Sequence, residues 1–386
     1  MTRSIPALIH PSLLVWARKN AGLRPEEAAA KAGINPQTLQ EWEAGTDRPS
    51  IAQLRKLGEV YKRPLAVFFL PEPPKGFDPQ REFRRLAGIS PQAESPKLRL
   101  ALRMALLRRE VAREIYERLG EPIPAVTASV HPAEDPEKVG QRMRDLLGIT
   151  WQMQVDWPNP YAALNGWRDA IERVGVLVFQ TGGVDLKEMR GTGISSGPLP
   201  VILLNNADAP HGRIFTLLHE FVHILLANGG HRTSVMEGKR FPEDQVLENA
   251  SNRFAAAALM PKSELLAEAS EYPKIFNGEE RELRRLANRI KASPEAILRR
   301  LVSLHRVPAD VYERKRKAWL EHPWFPSPQS EGGPPIETKV IAAVGRSFVS
   351  LILEGYQRNA ISSASVSDCL GVQLKYLDRI AGELVT

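Results

Sequence analysis

His219 and His223 stand four residues apart in an apolar run that includes Leu217, Leu218, Ile224, Leu225 and Leu226. In a helix this spacing sets both imidazoles on one face, one turn apart. Two neutral imidazoles so placed can bind a divalent cation, and Glu220 beside them can accept a proton from the cation's water, which is the arrangement of a zinc hydrolase. A catalytic ion of that kind needs a third protein ligand and one position left open. With Cys369 the single cysteine, no cysteine cage can form, so the third ligand must be His, Asp or Glu.

Two patterns could supply that ligand. In metzincins a glycine and a third histidine follow the pair, but the corresponding residues here are Leu226 and Gly229, which excludes that branch. The segment ENASNRFAAAALMP instead offers Glu248, with Asn252 one turn later. A carboxylate there completes a set of two histidines and one glutamate, and the cation makes its burial tolerable. Asn252 can hydrogen-bond a ligand histidine from behind. Zinc is the expected ion, and manganese(II) or iron(II) would also accept these donors. A developing oxyanion needs a donor as well, and His231 and His211 are candidates for that or another substrate contact by their nearness in sequence.

The elements that position these residues must come from a chain of 386 residues, enough for two to three domains. Apolar residues make up 43% and charged residues 25%, as in folded globular proteins. The longest aliphatic stretches, such as LAVFFL at 65–70 and VGVLVF at 174–179, are far below the roughly 18 apolar residues that cross a bilayer. Pro6, His10 and Pro11 interrupt the amino-terminal apolar region, so no secretory signal is expected and the cytoplasm is the natural location. The net charge of +7 is confined to the front of the chain, since residues 1–125 hold 21 basic and 14 acidic residues and residues 126–386 hold 31 of each. A basic front end points to an anionic partner, with nucleic acid the commonest.

Along the chain, residues 13–70 read as short helices with tight connections. Pro25, Glu26 and Glu27 start one helix and Gly33 stops it, then Asn35 and Pro36 start another that Gly45 ends. The segment PEEAAAKAGINPQTLQEWEAGTDRPSIAQLRKLGEVY resembles the phage-repressor-like (XRE-type) helix-turn-helix family over about 60 residues. That resemblance implies duplex DNA as a partner, with Gln37, Thr38 and Gln40 facing base edges and Lys31 and Arg48 on the backbone. No arginine stands there to read guanine, and a protein-docking role for the same fold is the alternative.

Residues 71–125 read as a proline-rich linker followed by a basic helical connector. The helix from Pro96 carries Arg99, Arg103, Arg108, Arg109 and Arg113 as a solvated stripe or a second phosphate surface. Residues 126–322 read as mixed: VGVLVFQ and PVILLNN are strand-like with a glycine-rich turn region around 191–197 between them, and helices follow to 305. A second linker is expected at 323–337, then two or three small helices at 338–386 with a helix-turn-helix pattern in SSASVSDCLGVQLKYLDRI. The expected fold is mainly α, with an all-α front domain and an α+β zincin-like core.

RIFTLLHEFVHILL, followed about 25 residues later by ENASNRFAAAALMP, resembles the ImmA/IrrE metallopeptidases over roughly residues 160–305. The resemblance implies His219, His223 and Glu248 as metal ligands and Glu220 as general base, with RGTGISSGPLPVILLNN as a strand pair whose edge receives substrate. Ser251 stands where the family commonly has alanine. The implied function is a zinc endopeptidase coupled to a helix-turn-helix, cutting a protein partner such as a transcriptional repressor in stress or mobile-element regulation. The alternative is a DNA-binding or antitoxin-like regulator whose zincin domain senses or docks a partner without proteolysis. No membrane partner is expected, and the oligomeric state is left open.

Overall fold

The computed structural model describes residues 7–73, 95–195, 197–231, 242–321 and 333–385. They fall into two compact units, the first taking in the described residues up to Arg103 and the second those from Met104 onward. Much of both expected linkers, 71–80 and 323–337, lies outside the described residues. Among the described residues no helix is long and apolar enough to cross a membrane.

The first unit is all helical: α1 (Pro11–Asn20), α2 (Pro25–Ala32), α3 (Pro36–Ala44), α4 (Ile51–Tyr61), a 3-10 turn at Leu65–Phe69, and the first residues of α5 (Pro96–Leu119). Local chemistry sets the boundaries. Gly33 ends α2 at φ 66°, a conformation open to glycine, and the Asn35 side chain accepts the Gln37 amide to start α3. Ser50 and Gln53 cap α4 reciprocally, at 3.3 and 2.8 Å. Leu13, Leu14, Ala28, Leu39, Trp42, Leu54, Leu57 and Phe68 form its core. Arg18 and Glu43 join α1 to α3 by two hydrogen bonds of 2.7 and 2.8 Å.

The basic stripe of α5 is a solvated face only in part: Arg113 stays at the surface, while other arginines of the helix are held by backbone carbonyls. Arg99 donates to the Lys19 carbonyl at the end of α1 (3.1 Å), and Arg103 donates to the Tyr61 and Lys62 carbonyls at the end of α4 (3.3 Å each). In the second unit Arg108 donates to the Cys369 carbonyl (2.9 Å) and Arg118 to the Ala360 carbonyl (2.7 Å), while Arg113 pairs with Glu110 and Glu117 on its own helix. Guanidinium groups placed at helix carboxyl ends satisfy orphan carbonyls and meet the negative end of the dipole.

The second unit holds α6 (Pro136–Leu147), α7 (Trp151–Asp156), α8 (Pro160–Arg173), β1 (Leu177–Thr181), β2 (Gly191–Ile194), β3 (Val201–Asn205), α9 (Pro210–Asn228) and α10 (Pro242–Leu259). These are followed by α11 (Lys262–Ser270), α12 (Glu280–Ile290), α13 (Pro294–Ser303), α14 (Ala309–Glu321), α15 (Ile336–Val344), α16 (Arg346–Gln357), α17 (Ser363–Leu370) and α18 (Leu377–Val385). The sheet has the order β1-β3-β2: β1 runs parallel to β3 with Leu177 opposite Val201, and β2 antiparallel to it with Gly191 opposite Leu204. Every residue of β3 is buried, as an unbroken apolar run in a central strand requires.

The glycine-rich stretch that its composition suggested as a turn is in part a strand, paired with β3 as the resemblance over RGTGISSGPLPVILLNN implied. Thr192 and Ile194 are buried against β3, while Gly191 and Gly193 leave room for α9. Asn205 fixes the preceding loop by donating to the Val184 and Met189 carbonyls at 3.0 and 2.9 Å. One apolar core runs from α6 through β3 and α9 to α13.

The last four helices exceed the two or three expected, and they pack into this same unit. Arg168 of α8, in a buried ion pair with Glu172 (2.9 Å), donates to the Ala342 carbonyl at 2.7 Å. Gln180 of β1 reaches that carbonyl too, at 2.8 Å, and accepts a hydrogen bond from Arg213 in the first turn of α9.

Candidate metal centre

α9 carries His219, Glu220 and His223. Pro210 occupies its first turn, and Leu217, Leu218, Phe221, Val222, Ile224 and Leu225 bury it on most sides, which makes it a core helix with one polar stripe. α10 packs against it and supplies Glu248, Ser251 and Asn252. The two helices are drawn close to their neighbours by small residues; a Cβ on Gly140 of α6 would collide with the backbone at Ala257 and Ala258 of α10.

Across that interface three donors converge. His219 Nε2 lies 3.1 Å from His223 Nε2, and Glu248 reaches both rings, with Oε2 3.5 Å from His219 Nε2 and Oε1 3.3 Å from His223 Nε2. These ligand atoms lie within 4.8 Å of one another, the one such group of three or more among the described residues. Their side chains are 13, 10 and 23% exposed, so the cluster is sheltered but open on one side.

The electrostatics follow from crowding ionisable groups in a dry place. Burial opposes charge on Glu248, but the two imidazoles outweigh it and hold its carboxyl far below the usual carboxylate range. Burial likewise opposes a protonated His219, and the carboxylates of Glu248 and Glu220 overcome it and push that ring up. Glu220 is pushed up by its complete burial, with the histidines pulling the other way and the Gly193 amide donating to its carboxylate. Glu220 Oε2 is left buried without a hydrogen bond.

A divalent cation fits this donor set. Two ring nitrogens and a carboxylate oxygen already point at one place, and the unpaired oxygen of Glu220 stands beside them for a further polar group. Residues 171–302 match the model of the IrrE N-terminal-like domain, a peptidase family. That stretch of the chain is similar to an IrrE N-terminal-like domain. Residues 14–68 match the helix-turn-helix model, so the chain joins a peptidase-family domain to a DNA-binding fold. No curated protein matches the chain.

Not every candidate residue joins the centre of the IrrE-like domain. His211 is on the same helix, but eight residues before His219, about 12 Å along the axis. It is buried there near Ala287 and Lys291, and that burial lowers its pKa to about 4. His231 follows the end of α9 and packs edge-on against His131, ring centres 4.6 Å apart. Asn252 donates to the Glu248 carbonyl at 2.9 Å and also acts on the His219 ring, so it is close to both α9 and α10 ligands.

In the first unit Gln37, Gln40, Lys31 and Arg48 are exposed and Thr38 is half-buried, with Gln37 reaching Glu41 at 3.5 Å. Sequence reasoning passed over Gly193 and gave Ser251 no role. A glycine pair at alternate strand positions was the available signal for the first; for the second it was a hydroxyl within one turn of Glu248.

Proposed function

We propose that the chain is a zinc-dependent endopeptidase whose helix-turn-helix binds duplex DNA and whose substrate is a protein partner, a transcriptional repressor being the fitting class. The convergence of His219, His223 and Glu248 within 4.8 Å, with the Glu220 carboxylate beside them, carries this reading. A zinc ion held by those three residues would supply Lewis acidity, lowering the pKa of water and stabilising charge on the scissile carbonyl oxygen.

The chain's own groups supply the proton transfers. Glu220, its pKa raised by burial, takes a proton from water as the oxygen bonds to the carbonyl carbon. It then returns that proton to the leaving nitrogen as the carbon–nitrogen bond breaks. Gly193 holds the carboxylate through its amide, and β2, the edge strand beside it, is where an extended peptide would lie. Both histidines favour the charged form of Glu248, which suits it to the role of a carboxylate ligand.

Glu220→Gln tests the assignment. The amide keeps shape and burial but cannot accept the proton, so zinc content should equal that of the wild type while cleavage of a pooled peptide library, read by mass spectrometry, falls by about 10²- to 10⁴-fold. Equal cleavage by both proteins removes Glu220 from the mechanism and leaves the domain as a binding platform.

A further inference from the structure

Ser251 lies three residues beyond Glu248 on α10, and no part of it is exposed (0%). Its Oγ is 3.5 Å from Nδ1 of His223. The other nitrogen of that ring, Nε2, faces His219 Nε2 at 3.1 Å and Glu248 Oε1 at 3.3 Å. The ring of His223 therefore turns one nitrogen to the ligand cluster and the other to the hydroxyl.

A neutral imidazole offers a lone pair at Nε2 only when its proton sits on Nδ1, and a buried N–H requires an acceptor. A helical serine can pass its own proton to the carbonyl one turn back, leaving its oxygen lone pairs to accept. One helix thus supplies both a carboxylate to the cluster and an acceptor behind the neighbouring ligand. Groups of this kind fix the ligand ring's tautomer and rotation, and their loss commonly costs tenfold or more in metal affinity.

We propose that Ser251 is a positioning residue for the metal centre, accepting the Nδ1 proton of His223 so that Nε2 is presented to the ion. The proposal rests on the reading of His219, His223 and Glu248 as metal ligands. Alanine at this position would fill nearly the same space and leave the Nδ1 proton without a partner.

The test is zinc affinity of the full chain, measured by competition with a chromophoric chelator, for wild type, Ser251→Ala and Ser251→Thr, together with the visible spectrum of each protein loaded with cobalt(II). Ser251→Ala should bind about tenfold more weakly and shift the cobalt bands, with the melting temperature of the metal-free protein unchanged, whereas Ser251→Thr, which keeps a hydroxyl, should stay within about threefold of wild type. Equal affinity and an unchanged cobalt spectrum in Ser251→Ala overturn the role of Ser251 and leave the metal site standing. That role is equally overturned if folded Ser251→Thr weakens as much as Ser251→Ala, because packing is then what the position supplies. Failure of the wild type to bind zinc overturns the metal reading itself.

Discussion

Gly193 on β2 gives its amide to the buried carboxylate of Glu220 on α9, and a Cβ at position 193 would stand 3.2 Å from Glu220 Oε2. Two residues earlier, a Cβ on Gly191 would collide with the Thr216 methyl, one turn before Glu220. The two-residue step of the strand matches the four-residue step of the helix, and the paired glycines let them touch. Strand and helix thereby fix the direction of the proposed general base.

Replacing Gly193 with alanine should displace that carboxylate by a few tenths of an ångström without touching the three candidate ligands. Zinc content should remain at the wild-type value while peptide cleavage falls roughly tenfold to a hundredfold, because small misplacements of a reacting group are costly. Cleavage at the wild-type rate would show that Glu220 does not depend on this contact.

The pH dependence of stability should carry the mark of His211. Burial first, and the Lys291 charge second, lower its pKa from the ordinary 6.5 to about 4. A histidine kept neutral in the folded state binds fewer protons than in the unfolded chain between these values, so its contribution is intact above pH 6.5 and is lost as the pH falls toward 4. The full loss is about 3 kcal/mol by linkage. Denaturation of His211→Leu at pH 7 and pH 5 should show a smaller drop than wild type, and parallel slopes for the two proteins would remove His211 from the account.

Binding of the full chain to duplex DNA should fall steeply with salt, and Lys31→Ala and Arg48→Ala should each lower the salt slope by about one unit. Gln37→Ala and Gln40→Ala should change preference among adenine-containing sites more than overall affinity. Fluorescence anisotropy at several salt concentrations reads both effects. An absence of binding at low salt would assign the exposed face of α3 to protein docking.

Much of this was legible in the residues. Asn35 and Pro36 mark the start of α3, and the four-residue spacing of His219 and His223 marks α9, because capping and helical periodicity are local effects. Features that depend on distant partners were not. Arg99, Arg103 and Arg108 of α5 resembled a solvated stripe because their acceptors, such as the Lys19 and Cys369 carbonyls, are remote in sequence. Glycines 191 and 193 suggested a turn, although their role is to admit a helix to a strand edge. His211 and His231 were near the ligands in sequence, and the rise of α9 and the His131 contact put them elsewhere.

The most direct test of the central claim is the zinc content of the purified full chain beside His219→Ala and Glu248→Ala. About one zinc per chain in wild type, absent from both variants after the same treatment, is the predicted result, since each variant leaves only two of three ligands. Wild type that holds no zinc when supplied with it, or zinc retained undiminished in both variants, would contradict the three-residue site and the peptidase reading built on it.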